Sequence, residues 1–156
     1  MKFRLEISPL CEEEEILLRC REPNARTREL ESILSSLADS PSDMVLHLGD
    51  TEYYVPKSKI LFFETVDGKV AAHTKDRMYY TRHRLQALEA LLPHSFLRVS
   101  KSCILNAEAV YSLSRGLTGT GEVTFAGTDK KVYISRAYHR YLKERIYQLR
   151  FPEEQI

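Results

Sequence analysis

Polar and apolar positions alternate over KFRLEIS (2–8), where Phe3, Leu5 and Ile7 oppose Lys2, Arg4 and Glu6. That period of two predicts a half-buried strand. EEILLRCRE (14–22) predicts a second strand, and the acidic run Glu12–Glu15 reads as a solvated turn between them. The period then changes. Asn24 offers an N-cap, and Leu30, Ile33, Leu34 and Leu37 recur at the spacing of one helix face. ADSPSD (38–43) is rich in turn formers and reads as a linker or loop.

Beyond residue 43 the pattern predicts an antiparallel meander of short strands: MVLHL (44–48), TEYYVP (51–56), KILFFETV (59–66), KVAAHT (69–74) and RMYYT (77–81). Gly49-Asp50 and Asp67-Gly68 are hairpin-turn pairs, the second the stronger. One helix follows, with Thr81 as its predicted cap, Leu85, Leu88, Leu91 and Leu92 as its apolar face and Pro93 as its stop. SFLRVSKSCILN (95–106) is a further strand region, and AVYSLS (109–114), VTFAG (123–127) and DKKVYIS (129–135) complete the set. Ser135 is the predicted cap of a final helix reaching about Leu149. Tyr138, Tyr141, Leu142, Ile146 and Leu149 would face inward, with Arg136, His139, Arg140 and Lys143 on the other side. Most of the tyrosines fall on predicted inward faces. The expected fold is mostly β with short helices: a small β-β-α N-terminal element (1–43), then a β-rich domain (44–150).

With 156 residues, 43% of them hydrophobic, the chain can bury the core of one domain with a small appendage, which excludes global disorder. No window approaches the roughly 18 apolar residues of a membrane span, and no secretion signal opens the chain, so a cytoplasmic protein is expected. Cys11, Cys20 and Cys103 lack metal-type spacing and read as free thiols of a reducing compartment, with Cys103 a small core residue.

Charge changes this picture. The net value of +1 conceals an acidic lead, with 6 Lys/Arg against 12 Asp/Glu over residues 1–52, and a basic body, with 17 against 8 over residues 53–150. A concentrated positive region attracts a polyanion, most often nucleic acid; a solvated basic surface is the alternative. Nothing positive points to catalysis. Gly116, Gly119 and Gly121 follow the order G-x-x-G-x-G without a following Lys-Ser/Thr, so they read as a glycine-rich β-turn and not a phosphate loop. Glu64, Asp67 and Asp76 include two turn residues, the five histidines lack ligand spacing, and no nucleophile signature is present. No enzyme activity, cofactor or metal is expected.

KILFFETVDGKV (59–70), LQALEALLPHSFLRVSKSCILN (85–106) and VYISRAYHRYLKERI (132–146) stand in the order seen in the LytTR family of bacterial DNA-binding domains. The segment from about Met44 to Leu149 resembles that family throughout. The resemblance implies a LytTR-like antiparallel β fold that contacts successive major grooves of duplex DNA through loop residues. It implies base-edge contacts at Lys69, Lys101 and Arg136. Gly68 competes with Lys69 for the first position because that loop varies in length, and Lys101 stands where some members carry Asn. Lys favours acceptors such as guanine O6/N7, whereas Asn favours adenine. Lys57, Lys59, His73, Arg98 and Ser102 are the expected phosphate contacts, with an internal salt bridge as the competing role for Arg98.

Many relatives carry a phosphorylatable receiver, which 43 residues cannot supply. The lead instead resembles the short element of stand-alone, response-regulator-like LytTR proteins. It is expected to pack on the domain or to dimerise, since so small a unit struggles to be stable alone. The resemblance also implies a pair of protomers on direct-repeat half-sites and a restraining membrane-protein partner. The competing reading is an interaction module or antagonist that keeps the fold without specific DNA binding, with the acidic lead covering the basic face. RNA binding ranks below both, because stacking on splayed bases needs exposed aromatic side chains.

Overall fold

The structure is a computed structural model that describes residues 16–22, 24–39 and 42–151. The chain divides into two units between residues 40 and 41.

In the first unit the helix predicted after Asn24 is present as α1 (Ala25–Asp39). Asn24 caps it as expected: its Oδ1 accepts from the Thr27 amide at 3.0 Å. Thr27 Oγ1 accepts from the Asn24 amide at 2.7 Å, closing a reciprocal capping box. The second predicted strand is not formed over residues 16–22, which have no regular structure and expose Ile16, Leu17 and Leu18. The strand expected at 2–8 lies outside the described residues.

Besides short 3-10 turns at Lys57–Lys59 and Ala107–Ala109, the described residues of the second unit form ten strands and two α-helices. In chain order these are β1 (Asp43–Leu48), β2 (Thr51–Pro56), β3 (Phe62–Val66), β4 (Lys69–His73), β5 (Met78–Thr81), α2 (Leu85–Leu91), β6 (Phe96–Ser100), β7 (Cys103–Asn106), β8 (Val110–Arg115), β9 (Gly121–Phe125), β10 (Lys131–Ile134) and α3 (Arg136–Arg150). Seven strands form one antiparallel sheet in the order β2-β1-β5-β4-β3-β7-β6, and β10-β9-β8 form a second. Both predicted tight turns appear. Gly49 takes φ +61° between β1 and β2, while Asp67 and Gly68 take +50° and +76° between β3 and β4, the two positive angles that a type I′ turn demands. The region 95–106 is two strands joined at Lys101-Ser102.

Adjacent residues of β3 point to opposite faces and feed two cores. Phe62 joins Leu97, Val99, Leu105, Val123, Ile134 and Leu142, between the sheets and α3. Phe63 joins Leu46, Ile60, Val70, Leu88 and Ile104, under α2. Asn106 is buried at the end of β7, donating from Nδ2 to the Ile60 carbonyl at 3.1 Å.

Three local expectations fail. Thr81 does not cap α2: it remains paired with Val70 in β5, and Arg84 occupies the cap position. Ser135 is the N-cap of α3, but its side chain makes no capping bond. Tyr138 and Tyr141 of α3 are exposed, leaving Leu142 as its buried residue with Ile146 and Leu149 packed beside it. No helix among the described residues is long and apolar enough to cross a membrane.

Candidate nucleic-acid interface

Antiparallel pairing decides which turns share an end of the seven-stranded sheet. Val66 pairs with Lys69, Ser100 with Cys103, and Val70 with Thr81. The turns β3–β4 and β6–β7 and the β5–α2 connection therefore lie at one end. That end carries Lys69, Lys101, Ser102, Arg82 and Arg84, all exposed. Four strand spacings separate β5 from β6, roughly 19 Å, which is the rise of about five to six base pairs. Arg82 and Arg84 were not among the residues expected there. Their signal was the run TRHR (81–84), read as part of the helix, whereas His83 precedes α2 and donates its amide to Thr81 Oγ1 at 3.2 Å.

The β6–β7 turn is held from beneath. Arg98 donates from Nε to the Ser100 carbonyl at 2.6 Å and from its guanidinium to the Lys101 carbonyl at 2.5 Å and to Glu89 at 3.1 Å. The Thr65 amide donates to the Ser102 carbonyl at 2.9 Å, tying the same turn to β3. Arg98 thus directs three of its donors to protein acceptors and braces the turn that presents Lys101. The Lys69 ammonium lies 5.8 Å above the Tyr80 ring, a cation–π distance.

A second basic group sits where β8, β9 and α3 meet. Arg136 opens α3, and its aliphatic stem crosses Gly119, where a Cβ would collide with Cγ and Cδ; the Arg115 guanidinium borders the same point. His139, expected on the polar side, is half-buried, with its ring against Gly121 and its Nε2 buried without a partner. The expected glycine-rich turn is this β8–β9 hairpin.

Three of the residues expected to contact phosphate are buried or lie at the far sheet end. Lys57 is buried, and its Nζ reaches the Leu91 carbonyl at 3.5 Å. Lys59 is exposed but precedes β3, so it lies at the opposite sheet end from Lys69, lining an open groove of about 830 Å³ with Lys75, Asp76 and Arg77. His73 is buried at that same far end, stacked on Phe62 at 4.2 Å between ring centroids and bonded through Nε2 to Glu64 at 2.8 Å. Burial pushes its pKa below the ordinary value, against the pull of Glu64. The tyrosines also depart from expectation. Tyr54, Tyr111, Tyr133, Tyr138, Tyr141 and Tyr147 are exposed, spread over β2, the three-stranded sheet and α3.

The two sheets are also joined at strand ends remote from both basic groups. Lys130, in the β9–β10 connection, donates from Nζ to the Thr74 and Arg77 carbonyls, both at 2.7 Å. The β9–β10 connection is therefore clamped to the β4–β5 turn. Lys69, Lys101 and the 116–120 hairpin tip all lie at strand ends remote from that clamp. No cluster of three or more potential metal ligands occurs among the described residues.

Comparison with known proteins agrees with the fold. Residues 50–147 match the family described as the LytTr DNA-binding domain. An uncharacterized HTH-type transcriptional regulator of Staphylococcus aureus is 26% identical over 147 residues, spanning 94% of this chain and 98% of that relative. The sensory transduction protein LytT of Bacillus subtilis is 28% identical over 102 residues, 65% of this chain and 42% of that protein. A solved LytTr DNA-binding domain from Bacillus cereus superposes with a TM-score of 0.61 at 26% identity, covering 67% of this chain and 95% of that one. Among the described residues no two helices follow one another without intervening strands.

Proposed function

The chain belongs to the LytTR family of DNA-binding domains, and from that premise we propose that it is a sequence-specific transcriptional regulator that reads the major groove with loop residues. The carrying observation is the placement of Lys69, Arg82, Arg84 and Lys101 on three neighbouring strand ends, on the same side as Arg115 and Arg136 relative to the Lys130 clamp. In this reading Lys69, Lys101 and Arg136 approach base edges. Arg82, Arg84, Ser102 and Arg115 hold phosphates and set register without reading sequence. Arg98 positions Lys101. A protein with this task works in the cytoplasm, with two protomers on direct-repeat half-sites. Residues 1–43 are left to packing or dimerisation, and a restraining membrane protein is the partner that the family suggests.

The test is selection of bound duplexes from a random pool by the full chain at about 0.15 M salt, where non-specific attraction is partly screened. A repeated motif is the expected result, and Arg136→Ala should then blur one of its positions at a cost of about 1–3 kcal/mol. Binding without enrichment would overturn the reading in favour of an interaction module.

A further inference from the structure

The β8–β9 hairpin ends in a side chain that nothing among the described residues covers. Leu117 is fully exposed, yet the loop around it is closely determined. The Gly119 amide donates to the Gly116 carbonyl at 2.9 Å, the Gly116 amide to the Thr120 carbonyl at 2.8 Å, and Gly119 takes φ +84°. This is the pattern of a type I turn followed by a left-handed residue, and it fixes Leu117 at the first corner. A lone surface leucine is ordinary. This one projects from the tip that Arg136 crosses and Arg115 borders.

Two cations beside Gly119 draw this tip toward a polyanion, whereas the exposed leucine two residues earlier needs an apolar partner. On the base edges of the major groove, that partner is the C5-methyl group of thymine. We propose that Leu117 contacts a thymine methyl in the DNA major groove, beside the base approached by Arg136. The proposal rests on the regulator reading above, because Leu117 enters the groove only if Arg136 does. Its added content is a specificity-determining residue on a hairpin to which sequence reasoning gave no role in binding.

The experiment uses the full chain and the duplex enriched by selection, with each thymine replaced in turn by uracil to delete one methyl group. The wild type should show one position at which uracil weakens binding about fourfold, the affinity equivalent of one buried methylene. Leu117→Ala should bind the parent duplex more weakly by the same factor and be indifferent to uracil there. Leu117→Val should recover part of the sensitivity. The substitution removes no core contact, so an unchanged melting temperature is expected. An identical uracil profile in wild type and L117A would overturn the proposal. So would an equal loss by L117A on the selected and random duplexes, or unchanged DNA binding with an altered oligomeric mass, which would assign the tip to a second copy. A selection that enriches no motif is a different result, because it removes the regulator reading itself.

Discussion

His73 and Cys103 are two polar side chains enclosed by the same β-rich core, and each has a measurable consequence. His73 is buried with its Nδ1 unpartnered, and burial favours the neutral ring over the attraction of Glu64. The folded state therefore binds fewer protons at this site than the unfolded chain. The associated stability is complete above the ordinary pKa of 6.5 and is lost as pH falls below it. Melting temperatures from pH 7.5 to 5.0 should fall more steeply for wild type than for His73→Gln; parallel curves would remove His73 as the cause. Burial, aided by the Glu64 charge, pushes the Cys103 thiol up to about 12. At pH 8 it should resist a thiol reagent until the protein is denatured, while exposed Cys20 reacts at once. Mass analysis of the labelled peptides distinguishes the two.

At the scale of elements, the β6–β7 turn depends on Arg98, whose guanidinium occupies the Ser100 and Lys101 carbonyls. Arg98→Gln should blur the same base position as Lys101→Ala while largely sparing affinity for random duplex. Equal loss on both DNAs would make Arg98 a phosphate contact after all. Such roles show where the sequence was legible. Alternation and turn residues located the strands from β1 to β5 because one or both faces of each are buried and the β1–β2 and β3–β4 turns use Gly-Asp and Asp-Gly. The second N-terminal strand failed over residues 16–22, where EEILLRCRE has strand-like composition but shows no pairing partner among the described residues. The α3 face was drawn too wide: packing takes Leu142, Ile146 and Leu149 and leaves both tyrosines outside. Site residues were hardest. Lys59 and Lys69 are close in sequence, but β3 separates them to opposite sheet ends, and only pairing reveals that Arg82 stands beside Lys69.

For the molecule as a whole, the cations collected at one side predict a steep salt dependence. Arg82, Arg84 and Arg115 alone would give log K against log salt a slope of about −2.7 per domain, and base-reading cations would steepen it. Titration by fluorescence anisotropy between 50 and 200 mM salt, on the order of the range over which such losses are large, measures it. A slope near zero would remove the polyanion reading. The Lys130 clamp adds a constraint of another kind. Together with the core that Phe62, Leu97 and Val99 share with Val123 and Ile134, it fastens the second sheet to the first, and on the proposed reading this gives the domain a fixed gauge, like a caliper whose jaws are Lys101 and Arg136. A flexible pair of readers would follow its two contacts along DNA, but a locked pair cannot. One base pair inserted between those contacts should therefore abolish specific binding, which the same titration measures; unchanged affinity would remove the fixed gauge.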